Sequence, residues 1–169
     1  HAKAKGYWTA LYSSQSLRWR NLDQFLIDDT LDRAAFRESL NAPAYNELAM
    51  DDRELNSIAA EELTQTSRPF FAVVNYNMLH FPYHTGESTP ARNGSELREA
   101  YFQALLRFDE CFGALLDALE CSGKLQDTAI FFTADHGESP SSTDLECDNV
   151  MPLRVNQYNA EVLRVPFWI

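Results

Sequence analysis

Apolar and polar positions change their spacing several times along the chain, and each change predicts an element. Trp8-Thr9-Ala10-Leu11-Tyr12 is rich in strand formers, follows the helix-ending pair Lys5-Gly6, and gives way to the polar run Ser13-Ser14-Gln15-Ser16. That order predicts a helix end and then a strand. Between Asn21 and Tyr45 the pattern is irregular, with Asp28, Asp29 and Asp32 scattered among Phe25, Leu26, Leu31 and Phe36. One short helix and much loop are expected there. From Asp51 the period becomes helical: Asp51 and Glu54 are spaced as a capping pair, and Leu55, Ile58, Ala59 and Leu63 recur at three or four residues, which predicts a helix to about Thr64. Arg68-Pro69 ends it. Phe70 to Val74 is then an unbroken apolar run, continued by Asn75-Tyr76, of the length expected for a strand buried on both faces of a parallel sheet.

The stretch from Phe81 to Gly94 carries Pro82, Gly86, Pro90 and Gly94 and reads as a loop, after which Ser95 caps the longest helix. Leu97, Tyr101, Leu105, Phe108, Phe112, Leu115, Leu116 and Leu119 recur at helical spacing, with Gly123 as the stop. Ala129-Ile130-Phe131-Phe132-Thr133 predicts a second buried strand, so that strand, loop, helix and strand follow in βαβ order.

The balance of 14 Lys plus Arg against 25 Asp plus Glu gives a net charge of −11 over 169 residues, which opposes binding to nucleic acid or to an anionic membrane surface. Hydrophobic residues at 45% and aromatics at 12% support one packed core rather than disorder. No apolar run approaches the roughly 20 residues of a membrane helix. The chain opens on His1-Ala2-Lys3 and closes on the apolar Val165-Pro166-Phe167-Trp168-Ile169, from which a piece of a longer protein is expected. Cys111, Cys121 and Cys147 have no metal-ligand spacing and read as small apolar filler.

Ligands of open α/β sheets gather beyond the carboxyl ends of the strands, so the residues leaving each apolar run are the candidates for chemistry. Two places qualify. Asn75 to His84 delivers His80 just past one strand, and Thr133-Ala134-Asp135-His136-Gly137-Glu138-Ser139 turns a second strand directly into Asp, His and Gly. A carboxylate beside an imidazole suits a divalent cation, although two ligands require others from elsewhere. Asp109 and Glu110 diverge by about 100° on a helix and do not form an acid/base pair.

These motifs together resemble the sulfatase branch of the alkaline phosphatase superfamily. Arg68-Pro69-Phe70-Phe71 through His80-Phe81-Pro82-Tyr83 is similar to its Pro-Phe-Phe strand ending in an active-site His-x-Pro-Tyr. Tyr101, Asp109, Gly113, Leu115, Leu116 and Leu119 resemble its long helix, and Asp127 to Gly137 resembles the strand leading to its Asp-His-Gly metal motif. Glu161 to Pro166 is similar to the Arg-Val-Pro segment that follows, and Gly6-Tyr7-Trp8-Thr9 to its Gly-Tyr-x-Thr strand.

The resemblance implies an alkaline-phosphatase-like α/β fold, a mostly parallel sheet with flanking helices, with residues 1–169 as one partial sulfatase-like domain. It implies a metal-dependent hydrolase of sulfuric or phosphoric esters, acting on a small anionic ester that could sit on a glycan or lipid, in an extracytoplasmic parent. Asp135 and His136 would bind one divalent metal ion, calcium first, with zinc or manganese as alternatives. His80 would contact the anionic group or protonate the leaving oxygen. Two departures stand beside these matches. The family's nucleophile and further metal-binding acids lie upstream of the Gly-Tyr-x-Thr strand, so none is expected in this chain. The family's Lys or His between Asp-His-Gly and Arg-Val-Pro has no counterpart in residues 138–163, where Arg154 is the single cation available for substrate. The missing cation keeps open a non-catalytic binding module. Glu138-Ser139 resembles the Asp-His-Gly-Glu-Ser of phosphoethanolamine transferases and keeps open a phosphotransferase.

Overall fold

The computed structural model describes residues 1–45, 48–83, 94–138 and 160–169. They divide between two compact units, one within residues 1–77 and 109–125 and the other within residues 78–108 and 126–169.

The first unit is built on three parallel strands, β1 (Trp8–Ser13), β2 (Arg33–Phe36) and β3 (Phe70–Asn75), in the order β2-β1-β3. β1 pairs with β3 from Trp8↔Phe70 to Ser13↔Asn75 and with β2 from Ala10↔Arg33 to Ser13↔Phe36. Gly6 precedes β1 at φ 85°, and its N–H closes a short 3-10 turn over Lys3–Lys5, which matches the helix-ending signal. Strand β2 falls in the region expected to be loop. Its four residues, Arg-Ala-Ala-Phe, carry weak strand propensity, and the pairing with β1 decides their conformation. The same stretch also holds the short helix α1 (Asp23–Leu26).

Helix α2 (Asp52–Gln65) starts where the pattern predicts. The Asp51 carboxylate accepts the N–H of Arg53 and caps it. Its buried stripe Leu55, Ala59 and Leu63 packs with Ala10 and Tyr12 of β1, Ala35 of β2 and Met50. Leu115 and Leu119, from the second half of the long helix α3 (Gly94–Cys121), complete that core. Tyr12 reaches through it to donate its hydroxyl to Glu62 at 2.8 Å, while Arg33 holds the same carboxylate at 2.9 Å. The 28 residues of α3 make a rod about 42 Å long. Burial follows Leu97, Ala104, Cys111, Leu115 and Leu119, so Leu105 of the predicted stripe is exposed. The helix stops as expected. Gly123 takes φ 73°, and Lys124 donates its Nζ to the carbonyls of Leu63 and Thr66 at the end of α2.

Two strand expectations need correction. β3 is not buried on both faces: Phe70, Ala72 and Val74 turn to the core, whereas Phe71 and Val73 are 57% and 48% exposed. The second buried strand is shorter and differently paired. Only Phe132–Thr133 forms a ladder, β4, and it runs antiparallel to β5 (Phe167–Trp168) instead of adding to the parallel sheet. Phe132 stacks on Trp168 with ring centroids 4.4 Å apart, while Phe131 stays 66% exposed. The βαβ continuation is therefore absent from the described pairings, because the partner that β4 finds is β5.

The second unit holds β4, β5, the short helix α4 (Ala160–Leu163) and the first half of α3. Its core cluster is Tyr83, Leu97 and Ala104, with Leu79, Phe81, Ala100 and Tyr101 packed against it.

Candidate active site

Strand β3 ends at Asn75, and the chain then passes through Asn77 to a tight turn at His80–Tyr83, where the N–H of Tyr83 donates to the carbonyl of His80 at 2.9 Å. His80 is half-buried in this turn, and its Nδ1 lies 2.6 Å from the carbonyl oxygen of Phe81. A carbonyl oxygen can only accept, so Nδ1 carries the proton. In the neutral ring the lone pair then sits on Nε2.

Strand β4 ends at Thr133, and Asp135, His136 and Gly137 follow it immediately. The Asp135 carboxylate accepts the backbone N–H of His136 at 2.9 Å, which folds the aspartate back over its neighbour. Two adjacent residues that would diverge on an extended strand are thereby turned toward each other: His136 Nε2 lies 3.5 Å from Asp135 Oδ2. His136 Nδ1 lies 2.8 Å from the Gly137 carbonyl, which makes Nδ1 the protonated nitrogen and leaves Nε2 facing the carboxylate. Gly137 in turn donates its N–H to the carbonyl of Val162 on α4 at 2.7 Å. The Asp135 side chain is 87% exposed and that of His136 25%.

This donor set fits part of a divalent-metal site. One carboxylate oxygen and one imidazole nitrogen converge, and the second imidazole nitrogen is oriented by a carbonyl, the usual support for a metal-binding histidine. Among the described residues there is no group of three or more His, Cys, Asp or Glu side chains able to hold a metal. A complete coordination shell therefore needs ligands beyond this pair. Arg154, the predicted substrate cation, lies outside the described residues, as does His84.

His80, Asp135 and His136 belong to the same compact unit. Their two segments are joined by a pair that sequence reasoning did not single out. Tyr83, 1% exposed, donates its hydroxyl to Glu138 Oε2 at 3.2 Å. Burial, reinforced by the Glu138 charge, pushes the Tyr83 phenol well above its ordinary value. Both residues stood inside quoted motifs, Tyr83 in His-x-Pro-Tyr and Glu138 after Asp-His-Gly. Their meeting across 55 positions is a tertiary fact that spacing does not carry.

This architecture is that of an alkaline-phosphatase-like α/β protein. The crystal structure of the lipoteichoic acid synthase LtaP from Listeria monocytogenes matches it with a TM-score of 0.64 at 21% identity, over 79% of this chain and 35% of that chain. The family model described as Sulfatase matches residues 1–169, and the chain belongs to the sulfatase family. Among curated relatives, arylsulfatase A of Bos taurus is 37% identical over 70 residues, 41% of this chain and 13% of the relative. The ulvan-active sulfatase of Formosa agariphila is 29% identical over 129 residues, 64% of this chain and 24% of the relative. The multifunctional alkaline phosphatase superfamily protein PehA of Trinickia caryophylli is 34% identical over 74 residues, 44% of this chain and 13% of the relative. The chain thus spans about an eighth to a quarter of these curated relatives.

Proposed function

We propose that the whole protein to which these residues belong is a metal-dependent hydrolase of sulfuric or phosphoric esters, with residues 1–169 forming part of one sulfatase-like domain. The observation that carries this reading is the convergence of Asp135 Oδ2 and His136 Nε2 at 3.5 Å, at a strand end, in a family of sulfatases. Asp135 and His136 hold one divalent cation, calcium before zinc or manganese. When bound, such an ion neutralises ester oxygens and lowers the pKa of the nucleophile. The remaining steps fall to side chains. With Nδ1 committed to the Phe81 carbonyl, His80 presents Nε2, which as imidazolium donates a hydrogen bond to an ester oxygen or a proton to the leaving oxygen. Arg154 supplies further positive charge toward the anionic group, which a chain of net charge −11 otherwise repels.

The substrate is a small sulfate or phosphate ester, carried on a glycan or lipid, and the parent acts outside the cytoplasm. The nucleophile comes from elsewhere in the parent, so the 169-residue chain alone has no turnover. No helix among the described residues is long and apolar enough to cross a membrane. Glu138-Ser139 after Asp-His-Gly favours a second reading, transfer of a phosphoryl-bearing head group to an acceptor.

The deciding experiment is hydrolysis of aryl sulfates and aryl phosphates by the whole protein, with added divalent cation and after chelation, beside the Asp135→Ala variant. A loss on the order of a hundredfold on chelation and on substitution is expected for a metal-bound centre. Turnover indifferent to Asp135→Ala sinks the assignment. Phosphate turnover that rises with an added alcohol acceptor selects the transferase reading.

A further inference from the structure

We infer that Tyr83 and Glu138 form a latch that fastens the His80 turn to the Asp135–His136 turn, making Tyr83 a positioning residue for the centre. The inference rests on the reading of that centre as an ester-cleaving site, and its geometry stands on four observations. Tyr83 is bound to His80 directly, its N–H donating to the His80 carbonyl at 2.9 Å. Its ring is fixed edge-on between Phe81 and Tyr101, with centroids 6.0 and 5.4 Å away, so the phenol is anchored to the first turns of α3. Its hydroxyl then bonds Glu138, two residues beyond His136. The backbone of Tyr83 sits at φ 60°, a left-handed conformation that bulky residues rarely adopt. Local preference does not put the side chain there; the surroundings do, and such residues gather where placement matters.

A tyrosine serving only as core filler needs its ring and not its hydroxyl, so Tyr83→Phe separates the two roles. The test uses the whole protein, with Tyr83→Phe, Glu138→Ala and the double variant, read by amide hydrogen exchange and by ester turnover. The latch predicts that Tyr83→Phe speeds exchange in residues 134–138, far along the chain from the substitution, while exchange in β1 and β2 is unchanged. It also predicts a fall in kcat of about tenfold, the loss of one hydrogen bond to a charged acceptor, with KM altered less than about twofold. The losses in Tyr83→Phe and Glu138→Ala do not add in the double variant, because both remove the same bond. Unchanged exchange at 134–138 overturns the latch, and faster exchange there with wild-type kcat overturns the positioning role. Turnover that persists in Asp135→Ala discards the metal reading alone, since exchange still decides the latch.

Discussion

Both carboxylate oxygens of Asp52 accept the backbone N–H of Asn77, at 3.1 and 2.9 Å, with the two residues 1% and 9% exposed. The first residue of α2 thus ties down the chain as it leaves β3. An amide stripped of this acceptor is left buried and unsatisfied, so Asp52→Ala is expected to destabilise the fold by about 1–3 kcal/mol. The check is the guanidinium midpoint at constant slope, with Asp52→Asn, which keeps an acceptor, recovering part of the loss. An unmoved midpoint in Asp52→Ala contradicts the role.

Alkali is expected to unfold the protein through its tyrosines. Burial is the largest cause raising the phenols of Tyr12, Tyr76, Tyr83 and Tyr101, helped at Tyr12 by Glu62 and at Tyr83 and Tyr101 by Glu138. A raised value in the folded state means stability that is full below the ordinary tyrosine value of about 10 and is lost as pH climbs beyond it. Thermal midpoints should fall steeply above about pH 10, with the phenolate absorbance of these four residues appearing only as the fold is lost. Full phenolate titration near that value in a still-folded chain refutes this.

At the acid end Asp32 is the carboxylate held furthest below its ordinary value. The backbone N–H of Thr9, then Lys3 and Arg68, hold its carboxyl down at about 2. A depressed value means the contribution is present above the unfolded value of about 3.9 and vanishes as pH drops from there toward about 2. Asp32→Asn should flatten the stability curve in that window and leave its neutral portion parallel to wild type. Identical acid limbs for the two proteins would refute the assignment.

Two glycines in and after the long helix should respond in opposite directions to the same substitution. A Cβ at either Gly113 or Gly123 meets nothing within 4 Å, so only backbone conformation differs. Gly113 lies inside α3, and Gly113→Ala should stabilise by about 0.5–1 kcal/mol. Gly123 sits at φ 73°, and Gly123→Ala should cost about 1–2 kcal/mol. Shifts of equal sign in urea midpoints would show that helix propensity and left-handed strain are not the governing effects.

Elements built on local pattern were legible in the sequence. The strands at Trp8 and Phe70, the helix opening at Asp51 and the stop at Gly123 follow from apolar spacing and capping chemistry, which neighbours in sequence determine. Strand β2 was not, because Arg33–Phe36 becomes a strand only by pairing with β1. The pairing of β4 with β5 likewise rests on Phe132 stacking on Trp168, 36 positions away. For the candidate site, His80, Asp135 and His136 could be named from their places after apolar runs. The bond from Tyr83 to Glu138 could not, since each side chain acquires its partner only through folding.

Strand β3 closes one side of the sheet order β2-β1-β3 and turns Phe71 and Val73 outward. Among the described residues no strand pairs with the outer side of β3, and an edge with an apolar flank is a template on which another strand can add. Preparations of these 169 residues alone therefore carry a route to polymerisation seeded at β3, and colloidal behaviour will limit their handling before chemistry does. A lysine at position 71 or 73 is the smallest change that would blunt that growth.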